Sequence, residues 1–209
     1  MVLELTRSWV AGLALARRSP VPVELPWGMR VDVARPRERA RYVLLRSDED
    51  TLRDVAAQAA EPTSRILTFL DPGRASAVLG PVWQRRDAEL LMTAPLRRTA
   101  ARVPDGYETD VETDGSVTRV RVHTADGETA AAGYAAVHGA VAVVDRVATY
   151  PAHQRRGLGT LVMHALTEAA LASGARSAVL SATEEGRALY TFLGWVPRAS
   201  LAVFVRLPQ

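Results

Sequence analysis

Between Ser116 and Thr124 valines alternate with polar residues (SVTRVRVHT), the period-two pattern of a half-buried strand. Ala125-Asp126-Gly127-Glu128 follows, and Asp-Gly between two such runs is a strong hairpin signal. Thr129–Val137 is the predicted return strand. His138-Gly139 turns the chain again, and Ala140–Thr149 is a third strand. The period then changes. Leu158, Leu161, Val162, Ala165 and Ala169 fall on one face of a helix predicted over Leu158–Ser173, with Gly174 as its stop. SAVLSA (Ser177–Ala182) is a short apolar strand. Thr183 caps a helix running to Leu193, and Ser200–Leu207 is a last strand. Three meandering strands, then helix, strand, helix and strand, make an α+β pattern with one parallel crossover.

The first half is less periodic. Trp9–Ala16 reads as a packed helix, although a short signal peptide is the competing reading; Glu4 and the arginines after Ala16 argue against export. Pro20, Pro22 and Pro26 forbid a helix through the next stretch. Met29–Val33 and Arg41–Leu45 are predicted strands. A helix capped at Ser47 or Asp48 carries Leu52, Val55, Ala56 and Ala59 on its apolar face and ends before Pro62. Ser64–Leu70 is a strand, Asp71-Pro72-Gly73 a turn, Arg74–Gly80 a short helix, and Ala88–Ala94 a strand or short helix. LRRTAARVPDG reads as a linker. The expected division is therefore an N-terminal region, 1–105, and a second region, 106–209. The acidic run Tyr107–Gly115 (YETDVETDG) is expected to be a solvated loop, with attraction of a cationic amine as its other reading.

Composition narrows the chemistry. The chain has no cysteine, so disulfides, thiolate nucleophiles and cysteine-ligated metals are excluded. It has no lysine, so Schiff-base catalysis and a Walker loop are excluded too. Its four histidines lack metal-ligand spacing, and no metal is expected. A net charge of +3 is too small to argue for nucleic acid. With no membrane-length apolar run, the expected setting is the cytoplasm and the expected partners exclude membrane and nucleic acid.

HQRRGLGT stands where the third strand of the second half gives way to its helix. A dinucleotide fingerprint would need a glycine where Val162 stands. A shorter loop pattern, R/Q-x-x-G-x-G/A, fits Gln154-Arg155-Arg156-Gly157-Leu158-Gly159 at each fixed position. A helix N-terminus offers free N–H groups, and the two glycines let a pyrophosphate approach the backbone. A glycine-softened helix start with solvated arginines is the competing reading.

DRVATYPAHQRRGLGTLVMHAL followed by VLSATEEGRALYTFLGW resembles the GNAT family of acetyl-CoA-dependent N-acetyltransferases, over about Ser116 to Trp195. The resemblance implies a mixed sheet with two splayed parallel strands and flanking helices, here preceded by an N-terminal extension. It implies acetyl-CoA as cosubstrate, with pantetheine in the splay against Val147, Ala148 and Thr149. It implies a pyrophosphate on Gln154, Arg155, Arg156, Gly157, Leu158, Gly159 and Thr160. Tyr190 matches the tyrosine that protonates the leaving thiolate in many members. Asp145, in the strand entering the loop, is the candidate general base, with an ion pair to an arginine as its other reading. Thr183 stands where many members have Asn. After Trp195 the usual pair of closing strands is short by one, unless another subunit completes it. The N-terminal region is either the domain's own first elements or a degenerate second GNAT-like module.

The expected function is transfer of an acetyl group from acetyl-CoA to a primary amine, small-molecule or peptide, by direct attack. A longer acyl group, or an inactive acyl-CoA-sensing module, is the alternative, and a homodimer is a candidate assembly.

Overall fold

A computed structural model describes residues 2–100 and 102–208 of the chain. Its strands are β1 (Val23–Leu25), β2 (Gly28–Arg35), β3 (Glu38–Leu44), β4 (Arg65–Thr68), β5 (Trp83–Pro95), β6 (Tyr107–Asp114), β7 (Val117–Thr124), β8 (Thr129–His138), β9 (Val141–Thr149), β10 (Ser177–Ala182) and β11 (Val196–Arg206). Its helices are α1 (Val2–Ala16), α2 (Glu49–Gln58), α3 (Pro72–Leu79), α4 (Leu158–Ala172) and α5 (Glu184–Phe192), with a 3-10 turn at Pro151–His153.

All the strands join one sheet, ordered β1-β2-β3-β4-β11-β5-β10-β9-β8-β7-β6. Strands from both sides of residue 105 therefore share one hydrogen-bonded layer. β5, from the first half, lies between β10 and β11 and pairs antiparallel with both. It is the partner of β10 on the side away from β9. The order reads alike from either side of the β5–β11 pair. β2-β3-α2-β4-α3-β5 on one side matches β8-β9-α4-β10-α5-β11 on the other, and β3–β4 and β9–β10 are the parallel pairs of the two runs.

Side-chain alternation sorts the sheet into two faces. Val43, Leu67, Leu91, Val143, Val179 and Val203 point to one face, where they pack under Trp9, Val10 and Leu13 of α1. Ile66 and Phe204 point to the other face beneath α2 and α3, as Ala142, Leu180 and Met92 do beneath α4 and α5. α1 is thus a core helix covering both halves. Gly12 lets it approach the sheet, since a Cβ there would lie 2.2 Å from Val143 Cγ2.

Most expected elements form, and the differences are informative. Tyr107–Asp114 is strand β6, paired along its length with β7, not a solvated loop. It is the sheet's edge and largely exposed, so no apolar alternation marks it. β5 runs thirteen residues and is strand throughout. β11 begins four residues before Ser200, its early residues exposed. No helix or strand occurs between Pro95 and Tyr107 in the expected linker, where Ala101 lies outside the described residues. Among the described residues no helix is long and apolar enough to cross a membrane.

Candidate functional site

β9 and β10 pair as parallel strands only from Val141–Ser177 to Val144–Leu180. From Asp145 onward β9 leaves its neighbour. Its pairing with β8 explains the bend: Asp145 faces Tyr134 and Ala148 faces Ala132, so β9 carries one extra residue over that interval. Arg146 takes a left-handed φ of 54° there. Such a bulge turns a strand away from its partner. The β10-facing edge of Asp145–Thr149 is left without a strand, and a wedge opens between β9 and β10.

The wedge runs into the start of α4. Gly157, at φ 80°, is the N-cap and supplies no side chain. Leu161 donates the first backbone hydrogen bond, to Gly157 O at 3.0 Å, so the amides of 158–160 have no intrahelical acceptor. Helices α2, α3 and α5 differ, each capped by a side chain, from Asp48, Asp71 and Thr183 respectively. Gly159 sits where α4 meets α5, and a Cβ there would be 3.0 Å from Leu189 Cδ2.

Wedge and helix start form one hollow of about 1140 Å³. Val147, Ala148, Thr149, Gln154, Arg155, Gly157, Leu158, Gly159 and Thr160 line it, as does Tyr190. Nine of the ten residues expected to hold the coenzyme are thus brought together. Arg156 is the exception: its guanidinium turns away and donates to Tyr107 Oη at 2.9 Å, while that hydroxyl meets His153 Nδ1 at 3.1 Å. Gln154 Nε2 donates to Thr149 O at 3.2 Å, tying the loop to the strand end. Thr183, named above as the cap of α5, also lines the hollow, and so do Glu185, Gly186, Leu189 and Phe192, which the sequence did not assign to it; only Gly186, four residues before Tyr190 on α5, has a spacing that signals it.

Tyr190 is 8% exposed, packed beside Trp195 with ring centroids 6.1 Å apart. Burial, with the negative charge of Asp145 adding to it, pushes its phenol up to about 12. It stays protonated throughout the neutral range.

Asp145 is corrected. Arg17 Nε and Nη2 donate to its two carboxylate oxygens, at 2.9 and 3.1 Å, and Arg146 Nε lies 3.3 Å from Oδ2. A carboxylate held in a guanidinium fork has both oxygens engaged, leaving neither free to meet an amine. The ion-pair reading of Asp145 is the one the structure bears out.

Behind Asp145 lies a buried chain of charges joining both halves. Arg17 also donates to Glu38 Oε2 at 2.8 Å, Glu38 Oε1 accepts from Arg41 Nε at 2.6 Å, and Arg41 Nη1 lies 3.6 Å from Glu89 Oε2. Ser181 donates to that same Glu89 oxygen at 2.6 Å. Arg41 is buried beneath Trp9, its guanidinium 5.7 Å from the ring centre. Burial works to raise the Glu38 carboxyl, but Arg41, Arg17 and Arg65 outweigh it and hold it at about 2. None of these partners is near another in sequence except Glu38 and Arg41, which is why the chain of charges has no sequence signature.

Comparison with known proteins agrees with this geometry. The profile of the Acetyltransferase (GNAT) family matches residues 90–195, beginning within β5. No curated protein matches the sequence. Among solved structures, a GCN5-related N-acetyltransferase from Kribbella flavida aligns over 100% of this chain and 96% of its own, at 18% identity and a TM-score of 0.67. A putative GNAT-family acetyltransferase from Novosphingobium aromaticivorans aligns over 98% and 99%, at 16% identity and 0.60. A tandem GNAT protein from the clavulanic acid biosynthesis pathway covers 75% of this chain and 67% of its own, at 17% identity and 0.55. The bulged, splayed strand pair, the uncapped α4 and the matched profile agree, and the chain belongs to the GNAT acetyltransferase family.

Proposed function

We propose that the protein transfers an acetyl group from acetyl-CoA to a primary amine by direct attack. The observation that carries this reading is the single hollow running from the uncapped α4, along the unpaired edge of β9, to Tyr190. The amides of 158–160 and the positive end of α4 suit a pyrophosphate, and Arg155 adds charge beside them. The open edge of Val147–Thr149 suits an extended amide-bearing arm, which would pair with it as a further strand.

In the reaction, the neutral amine nitrogen forms a bond to the thioester carbonyl carbon and the carbon–sulfur bond breaks. The nitrogen's extra proton passes to a carboxylate or water, and Tyr190 gives its phenolic proton to the departing sulfur. A thiolate formed in the same desolvated place is raised in pKa as the phenol is, which favours that transfer. Solvent restores the Tyr190 proton. Titration of the purified chain with acetyl-CoA by calorimetry, followed by thiol release with an amine panel, tests the proposal. Absence of binding would overturn it. Binding without turnover across the panel would favour the acyl-CoA-sensing alternative.

A further inference from the structure

A second hollow, of about 530 Å³, lies on the α1 face of the sheet. Thr183, the N-cap of α5, lines both this hollow and the coenzyme hollow, so the two border one another just past the end of β10. On the acetyl-transfer reading, this hollow opens beside a thioester laid between β9 and β10. The second hollow is lined by Arg37, Arg65, Arg86 and Arg206 against Asp87 and Glu89, an excess of positive charge. Arg37 and Arg86 are exposed and, among the described residues, make no salt bridge. Arg65 Nε is buried without a hydrogen-bond partner and sits 3.8 Å from Glu38. The unpaired guanidinium forks of Arg37 and Arg86, with Arg65 beside them, suit a planar or tetrahedral anion.

Glu89 differs from Asp145 in the same respect. Only its Oε2 is engaged, by Ser181 and Arg41, while its side chain keeps 16% exposure and lines the hollow. Oε1 is available to a ligand. Another arginine-rich hollow, beside Arg17, Arg18 and Arg146, is a weaker candidate. Arg17 and Arg18 are already paired with Asp145 and Asp114, and it shares no lining residue with the coenzyme hollow.

We propose that the acceptor is a small amine that also carries an anion, as an amino acid does, with the anion on Arg37, Arg65 and Arg86 and the amine against Glu89. Glu89 accepts the amine proton as the carbon–nitrogen bond forms and the carbon–sulfur bond breaks, and releases it to solvent. This rests on the acetyl-transfer reading. Two measurements on the full chain separate their failures. Acetyl-CoA titration comes first; no binding overturns both. Thiol release is then compared for matched pairs: amino acids against their amides, and phosphoethanolamine against ethanolamine, which distinguishes carboxylate from phosphate.

The anionic member of a pair is expected to show at least tenfold higher kcat/KM. The double variant Arg37→Gln, Arg86→Gln should erase that preference by raising KM, with coenzyme affinity kept; neither arginine has a carboxylate partner, so folding is not at stake. Glu89→Gln should lower kcat at least tenfold with coenzyme affinity kept. Acetyl-CoA binding with neutral amines turned over as well as anionic ones, with neutral amines but no anionic amine turned over, or with the preference surviving the double variant, overturns this proposal alone; binding with no amine turned over overturns both.

Discussion

The two halves repeat one order of elements, yet only one opens a wedge between its parallel strands. In the second half β9 continues five residues beyond its last pairing with β10, bulged at Arg146. In the first half β3 continues one residue beyond its last pairing with β4, from Val43 to Leu44. There the next amides, of Leu45 and Arg46, turn back to Trp27 O, and Trp27 stacks on Tyr42. The helix starts differ in sign. α4 begins at a bare glycine near Arg155, whereas α2 begins at Asp48, whose carboxylate accepts from Thr51 N and Oγ1 at 2.8 and 2.9 Å, followed by Glu49 and Asp50. A carboxylate already sits where the equivalent phosphate would bind. The same topology thus yields a binding wedge or a closed support, according to one bulge and one cap. The first half instead supplies β5 and most of the buried charge chain, Arg17, Glu38, Arg41 and Glu89.

The largest expected effect is on the joint between the halves. Glu38 is held at about 2 when folded against 4.5 when free, so its contribution is full above pH 4.5 and is lost as pH falls toward 2. That difference corresponds to roughly 3 kcal/mol. Glu38→Gln should lower stability by about 3–5 kcal/mol at pH 7, because Arg41 and Arg17 lose a buried partner, and should flatten the acid limb of a urea-melt series. Equal stability at pH 7 would mean the charge chain does not hold the halves together.

Importing the closed half's cap into the open half comes next. Gly157→Asp meets no atom within 4 Å of its Cβ, so the fold should survive with modest strain. Acetyl-CoA affinity should fall roughly a hundredfold, about 2.7 kcal/mol, by calorimetry. Tyr190→Phe should lower kcat at least tenfold with coenzyme affinity unchanged. Since burial pushes the Tyr190 phenol up to about 12, its ionisation should produce no fall in kcat below about pH 11. The smallest effect is expected from opening the closed half. Asp48→Ala should lower the melting temperature by roughly 2–4 °C through loss of a cap, and should create no second coenzyme site.

Sequence made parts of this comparison legible and hid others for physical reasons. The valines of β7 alternate because one face is buried, and the two glycines at the start of α4 stand out because a bare helix start needs them. Tyr190 was found from ALYTFLGW. β6 was not, because a largely exposed edge strand carries no apolar alternation. The seat of β5 between β10 and β11 depends on closure of the whole sheet, which no local pattern encodes. Asp145 looked like a base because its strand neighbours are apolar, while its partner, Arg17, lies 128 residues away. Glu89 was missed for a similar reason: its partners Ser181 and Arg41 lie on other strands.

The most direct test is a side-by-side calorimetric titration of the native chain, Asp48→Ala and Gly157→Asp with acetyl-CoA. One site per chain in the first two, and loss of roughly a hundredfold in affinity in the third, is the predicted result. No binding by the native chain, or binding unchanged by Gly157→Asp, would contradict a coenzyme site at the uncapped start of α4.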